Sequence, residues 1–200
     1  MTGIQGEVGH LRLDKQGLSE RGWTDLPKDW SPEEGVLYAG GYLEDRAIYD
    51  SPVFTGAAEP RTIHLGVDVF APAGASVFAP VEGLVHSLKV NAGDLDYGPT
   101  IILEHSPTPD LTFWTLYGHL SEDSLLGLEE GDPVAAGEKL AELGDKDING
   151  GWSPHLHFQV ILDIGDRKDD FPGVCARSET DTWQANCPNP YDLIGLTLTE

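Results

Sequence analysis

The 200-residue chain carries 34 acidic side chains against 12 Lys and Arg, a formal net charge of −22. Such a surface repels the nucleic-acid backbone and anionic membranes, which excludes both as partners. With 24 Gly and 14 Pro in a chain that is 40% hydrophobic, the composition points to many short strands joined by turns rather than to a helical bundle.

In chain order, the opening MTGIQGEVGHLRLDKQG holds no apolar core of a secretory leader, so the expected location is the cytoplasm. No stretch approaches the roughly 20 apolar residues of a membrane helix. Residues 1–60 are polar and turn-rich, with GVLYAGGYLEDRAIYD offering one or two short strands. They read as an N-terminal extension packed on a main body of residues 61–200.

From Arg61 the texture changes. TIHLGVDVF, ASVFAPVEGLVHSLKV, PTIILEH, LTFWTLYGHL, DPVAAGEKLAELG and HLHFQVILDI are short, β-branched or aromatic, and bounded by Gly, Pro, Asn or Asp. PAGASVFAPVEGLV and LEEGDPVAAGEKLAELG echo one another, which is the texture of an all-β sandwich or rolled barrel built from two similar halves. SEDSLLGL is a short helix candidate, residues 163–190 read as loop, and PYDLIGL supplies a closing apolar anchor. Cys175 and Cys187 have no zinc-knuckle spacing, and reduced thiols are expected.

Seven histidines occur, and four of them sit in informative places. In H-L-G-V-D, strand alternation would put His64, Gly66 and Asp68 on one face, with Gly66 leaving room for an ion. In H-L-H-F-Q-V, His155, His157 and Gln159 share a face, and the two imidazoles stand about 6.6 Å apart along a strand rising about 3.3 Å per residue. One could ligate a metal while the other reaches a water; alone, the pair also fits two surface histidines on a half-exposed strand. His119 ends an apolar strand after Gly118, and by itself it fits a strand-end histidine bonded to a loop carbonyl. His86 and His105 read as structural, and His10 as irrelevant. Together, two His and one Asp make a three-ligand site with an open fourth position, the catalytic rather than the closed arrangement. The H-E-x-x-H helix of many metalloproteases is missing. The two remaining histidines could serve as general base and oxyanion stabiliser.

RTIHLGVDVFAPAGASVFAPVEGLV, LYGHLS and HLHFQV resemble the lysostaphin/LytM-type zinc endopeptidases. That family's pattern is H-x-x-x-D, then a lone strand-end His, then H-x-H, and the likeness runs from about Arg61 to Ile164. The resemblance implies Zn²⁺ on His64, Asp68 and His157, with His119 and His155 as catalytic histidines. It also implies the duplicated hybrid motif as fold, and hydrolysis of a peptide bond by a metal-activated water. Glycyl or D-amino-acid bonds of cell-wall-type peptides would be the substrate, so the expected partner is a small peptide or muropeptide. DYGPTIILEH, NGGWSPHLHFQV and CPNPYDLIGL resemble the intracellular branch, in which the domain is fused to aminotransferase-like domains. Two other functions use the same texture. A regulatory member of the fold would have lost a ligand, yet all five residues are present; a lipoyl carrier needs an exposed hairpin Lys that is not evident, and a phosphocarrier needs facing histidines but no Asp ligand.

Overall fold

The computed structural model describes residues 8–199. Its strands are β1 (Val8–His10), β2 (Leu37–Gly40), β3 (Ile63–His64), β4 (Val67–Phe70), β5 (Ser76–Phe78), β6 (Gly83–Asn91), β7 (Gly98–Thr108), β8 (Leu111–Gly118), β9 (Pro133–Val134), β10 (Lys139–Glu142), β11 (His155–Ile161), β12 (Val174–Cys175) and β13 (Leu198–Thr199). Nine of them form one sheet in the order β13-β1-β2-β4-β11-β8-β7-β6-β9. From β2 to β9 every neighbour is antiparallel, whereas β1 runs parallel to both β2 and β13. The fold is all-β, as the composition and alternation indicate.

Local chemistry explains the pairing. Thr108 faces Leu111 across Pro109 and Asp110, a turn that proline pre-sets, and this closes the β7–β8 hairpin. The two echoed segments pair reciprocally. β5 of the first lies against β10 of the second, and β9 of the second lies against the start of β6 of the first.

The sheet is covered on both faces. Val67, Val69, Ile101, Leu103, Tyr117, Phe158 and Val160 point into one core. Their alternates Ile102, Leu116 and Ile161 point the other way, with Leu65, Phe171 and the free, buried Cys175 and Cys187. A period of two therefore sends His155, His157 and Asp68 to the second side. A third apolar cluster joins Phe70 of that side to Leu11, Leu13, Leu18, Leu26, Ile48, Tyr49 and Phe54.

Several sequence expectations change. RTIHLGVDVF is not one strand, because the backbone breaks at Leu65 and Gly66. His64 pairs with Val174 in a small two-stranded sheet, while Asp68 pairs with His157 in the large one. Gly66 does not leave room for an ion; a Cβ there would come 2.7 Å from the Phe158 carbonyl and 2.8 Å from the His157 ring, so the space belongs to that imidazole. Residues 163–190 are not all loop, since they hold β12 and a helix at Thr180–Asn186. SEDSLLGL forms a short 3-10 turn at Glu122–Leu125. His105 is structural, with its ring between the Glu82 carbonyl and Thr115 Oγ1.

Phe158 is 0% exposed and packs on Tyr117 with ring centroids 5.2 Å apart. We expect Phe158→Ala to cost about 3–5 kcal/mol in urea unfolding. Leu162→Ala, at a side chain 44% exposed, should stay within about 0.5 kcal/mol.

Candidate functional site

Five polar side chains meet below the sheet. β3 delivers His64, β4 delivers Asp68, β11 delivers His155 and His157, and the residue after β8 is His119. All five are buried, none more than 5% exposed. His119 has φ 62°, a left-handed conformation uncommon for a side chain of this kind. The twist ends the strand and turns the ring inward. Gly118 before it faces His157 in the register, and a Cβ there would strike the Tyr97 ring at 2.7 Å.

The hydrogen-bond network assigns the ring protons. His64 Nδ1 lies 2.9 Å from the Gly41 carbonyl, which can only accept, so the proton is on Nδ1 and Nε2 carries a lone pair. His157 Nε2 lies 3.0 Å from Gln159 Oε1. Gln159 Nε2 donates to the Pro172 carbonyl and to Cys187 Sγ, which fixes the amide the right way round. His157 therefore donates from Nε2, and its Nδ1 carries a lone pair.

These two lone pairs face each other at 2.9 Å, and each faces Asp68 Oδ1, at 3.3 Å from His64 and 3.2 Å from His157. In these neutral tautomers no proton lies among the three atoms to turn the approach into a hydrogen bond. A cation does what a proton does not. A tetrahedral ion with bonds of about 2.0–2.1 Å spaces its ligand atoms about 3.3 Å apart, and the three observed separations lie close to that edge. The residues present thus fit a divalent metal, and among the described residues they form the one His/Asp cluster with metal-ligand spacing.

The other two rings are prepared differently. His119 Nδ1 donates to the Asn149 carbonyl at 2.8 Å and His155 Nδ1 to the Ser153 carbonyl at 2.7 Å. Both Nε2 atoms are left as acceptors. The two rings lie 4.2 Å apart between centroids, and His155 also stacks on Phe70 at 4.8 Å.

Electrostatics push three of the imidazoles toward the neutral form. Burial, then the charge of Arg46, pushes His64 down to about 3. Burial, then His155, drives His119 well below its usual value. Burial also lowers His155, against the opposing pull of Asp68. For Asp68 burial favours the acid, but Arg46 and the surrounding histidines prevail and hold it well below the usual carboxylate range. The result is one anion beside three rings that resist protonation.

A cavity of about 260 Å³ opens on these groups. Tyr49, Phe54, Phe70 and Trp152 give it an aromatic wall, and Asp94, Asp96 and Asp170 line another part. The five residues expected from the sequence are all brought together. Arg46, Tyr49 and Tyr97 join them without a signal of their role at the sequence level, because those roles come from loops and from residues distant in the chain, and Asn149 and Trp152 join them as well. A searchable hint was NGGW, whose Asn149 orients His119 and whose side chain is held by Trp152.

An all-β scaffold with a metal-fitting His-Asp-His cluster and two further histidines defines a metal-site class of fold. The model of Peptidase family M23 matches residues 62–169, just over half of the 200 residues, and the chain belongs to that family. A curated relative from Haemophilus influenzae, an uncharacterized metalloprotease, is 29% identical over 170 residues. The alignment covers 81% of this chain and 33% of the relative, so the chain spans about a third of the relative's length. A zinc-containing peptidase from Vibrio cholerae is 29% identical, with 60% of this chain and 32% of that one covered, at TM-score 0.44. The catalytic domain of lysostaphin from Staphylococcus simulans is 26% identical, with 68% and 81% covered, at TM-score 0.42.

Stability follows from the depressed histidines. His64, His119 and His155 take up protons near pH 6.5 when unfolded and resist them when folded. The unfolded chain therefore binds more protons below that pH, and stability is lost as pH falls. We expect metal-free protein to lose about 1.4 kcal/mol per pH unit for each ring held neutral. Urea unfolding from pH 7.5 to pH 5 reads this, and a flat profile would contradict the neutral-ring assignment.

Proposed function

We propose that the chain is a zinc-dependent endopeptidase acting on short peptides, with His64, Asp68 and His157 as metal ligands and His119 and His155 as catalytic histidines. The observation that supports it most is the trio of ligand atoms at 2.9, 3.2 and 3.3 Å from one another. Neutral imidazole and carboxylate suit zinc, and three protein ligands leave a fourth position for substrate chemistry. When bound there, the ion supplies Lewis acidity to the scissile carbonyl and acidifies the attacking water.

The chain's own residues do the rest. His119 and His155 line the same cavity as the cluster, and each keeps Nε2 as an acceptor, held in that tautomer by a backbone carbonyl. Their closeness lets the pair hold one proton but disfavours two. His155 is the better acceptor of the water's proton, because the charge it gains lies 3.6 Å from Asp68 Oδ2. That proton then passes to the departing amine as the peptide bond breaks. His119, still neutral, orients the water or substrate N–H through its own lone pair.

The substrate class we infer is a small peptide with glycyl or D-amino-acid bonds, of muropeptide type, rather than the assembled wall. The cavity lies at the small end of ligand sites. A net charge of −22 also gives no long-range attraction to anionic wall polymers. The Haemophilus relative's description as a metalloprotease agrees with peptide-bond hydrolysis. Among the described residues no helix is long and apolar enough to cross a membrane.

Two experiments separate the roles. His157→Ala should abolish zinc uptake in elemental analysis, whereas His155→Ala and His119→Ala should retain zinc and lose about 10²–10⁴-fold in turnover of a glycyl peptide. If His155→Ala empties the site while His157→Ala leaves it filled, the roles are exchanged. On substrate, released amines should rise with soluble muropeptides and stay flat with intact sacculi; the reverse would restore a wall hydrolase.

A further inference from the structure

The His-Asp-His cluster has a neighbour that its chemistry does not require. Arg46 is 3% exposed and comes from the segment between β2 and β3. Its Nη1 donates to Asp68 Oδ2 at 2.5 Å and to the Tyr49 hydroxyl oxygen at 3.0 Å, and its Nε donates to Glu44 Oε2 at 3.1 Å. Glu44 is anchored in turn, because its Oε1 accepts from the Leu13 N–H at 2.9 Å. Gly41, at φ 102°, is the residue that lets the guanidinium lie behind His64, since a Cβ there would collide with Arg46 Nη2.

As a device for stability this is a poor arrangement. A buried ion pair roughly breaks even against apolar side chains of the same shape. Here one donor, Arg46 Nη2, also has no hydrogen-bond partner among the described residues, which adds a desolvation cost. What the pair does impose is geometry. A free carboxylate can turn both oxygens toward a cation, but Asp68 has Oδ2 tied to Arg46, and only Oδ1 faces His64 and His157.

We propose that Arg46 is a positioning residue that restricts Asp68 to a single metal-facing oxygen, so that the centre keeps an open coordination position. The proposal rests on the metal-site reading given above. It also assigns a role to a part of the chain outside the family match, which begins at residue 62. The outer support of the centre is thereby supplied by the N-terminal segment, through Glu44, Arg46 and Tyr49.

Cobalt(II) alone is the probe, added to the full chain after chelation of any resident metal. Its visible bands are intense when four-coordinate and weak when the coordination number rises. The wild type should give intense bands. In Arg46→Met, Asp68 is free to bind through both oxygens, and the bands should weaken severalfold. Turnover of the zinc-loaded variant should fall by about 10- to 100-fold, with KM little changed. Arg46→Lys keeps a donor for Oδ2 and should recover most of the band intensity. Wild-type bands in a folded Arg46→Met overturn the proposal. If Arg46→Met does not fold, Glu44→Gln loosens the same guanidinium, and unchanged bands there overturn it equally. A wild type that takes up no cobalt would instead defeat the metal-site reading.

Discussion

The structure is organised around one buried carboxylate. Asp68 sits beneath the sheet at 2% exposure, where an unpaired anion would be strongly unfavourable. Everything around it answers that constraint. Arg46 neutralises one oxygen, and two imidazoles turn their lone pairs toward the other. Those lone pairs are unfavourable toward each other and toward the anion. They are held in place because each ring's opposite nitrogen is bonded to an acceptor, Gly41 for His64 and Gln159 for His157. The local unfavourable energy is offset by the packing of three apolar clusters above and around the site, and a cation relieves it directly.

Much of this centre could be read from the sequence, and the reason is periodicity. H-L-H-F-Q-V alternates on β11 with Phe158 and Val160 in the core. His155, His157 and Gln159 had to emerge together on the other side. The echoed turn-and-strand segments pointed to two similar halves, and in the structure they pair reciprocally, β5 with β10 and β6 with β9. His64 and Asp68 of H-L-G-V-D do converge, but not on the single strand that alternation suggested. The break at Leu65–Gly66 sends His64 to a different sheet from Asp68, and Gly66 serves the His157 ring rather than an ion.

The rest was hidden because it depends on tertiary placement. Arg46 sits in E-D-R-A, a string that looks like solvated surface, and only the docking of that segment beside β4 brings it to Asp68. Tyr97 lies in a loop between β6 and β7, yet its ring packs 5.0 Å from His157 and its hydroxyl donates to the Phe171 carbonyl. Nor does sequence reveal a tautomer. That His119 and His155 both offer Nε2 follows from two carbonyls, at Asn149 and Ser153, whose directions are set by turns.

The family, the fold and the five converging side chains agree on a metal centre, and two of its ligands are ready before any ion arrives: burial and Arg46 keep the His64 ring neutral, and Arg46, against burial, keeps Asp68 ionised. Calorimetric titration with zinc near pH 6, repeated in buffers of different ionisation enthalpy, counts the protons released on binding. Two ordinary imidazoles with pKa near 6.5 would together release about 1.5 protons at that pH. With the His64 ring already neutral, the site should release less than one, with one ion bound per chain. Release of well over one proton would show that His64 is charged before binding, and would contradict the account.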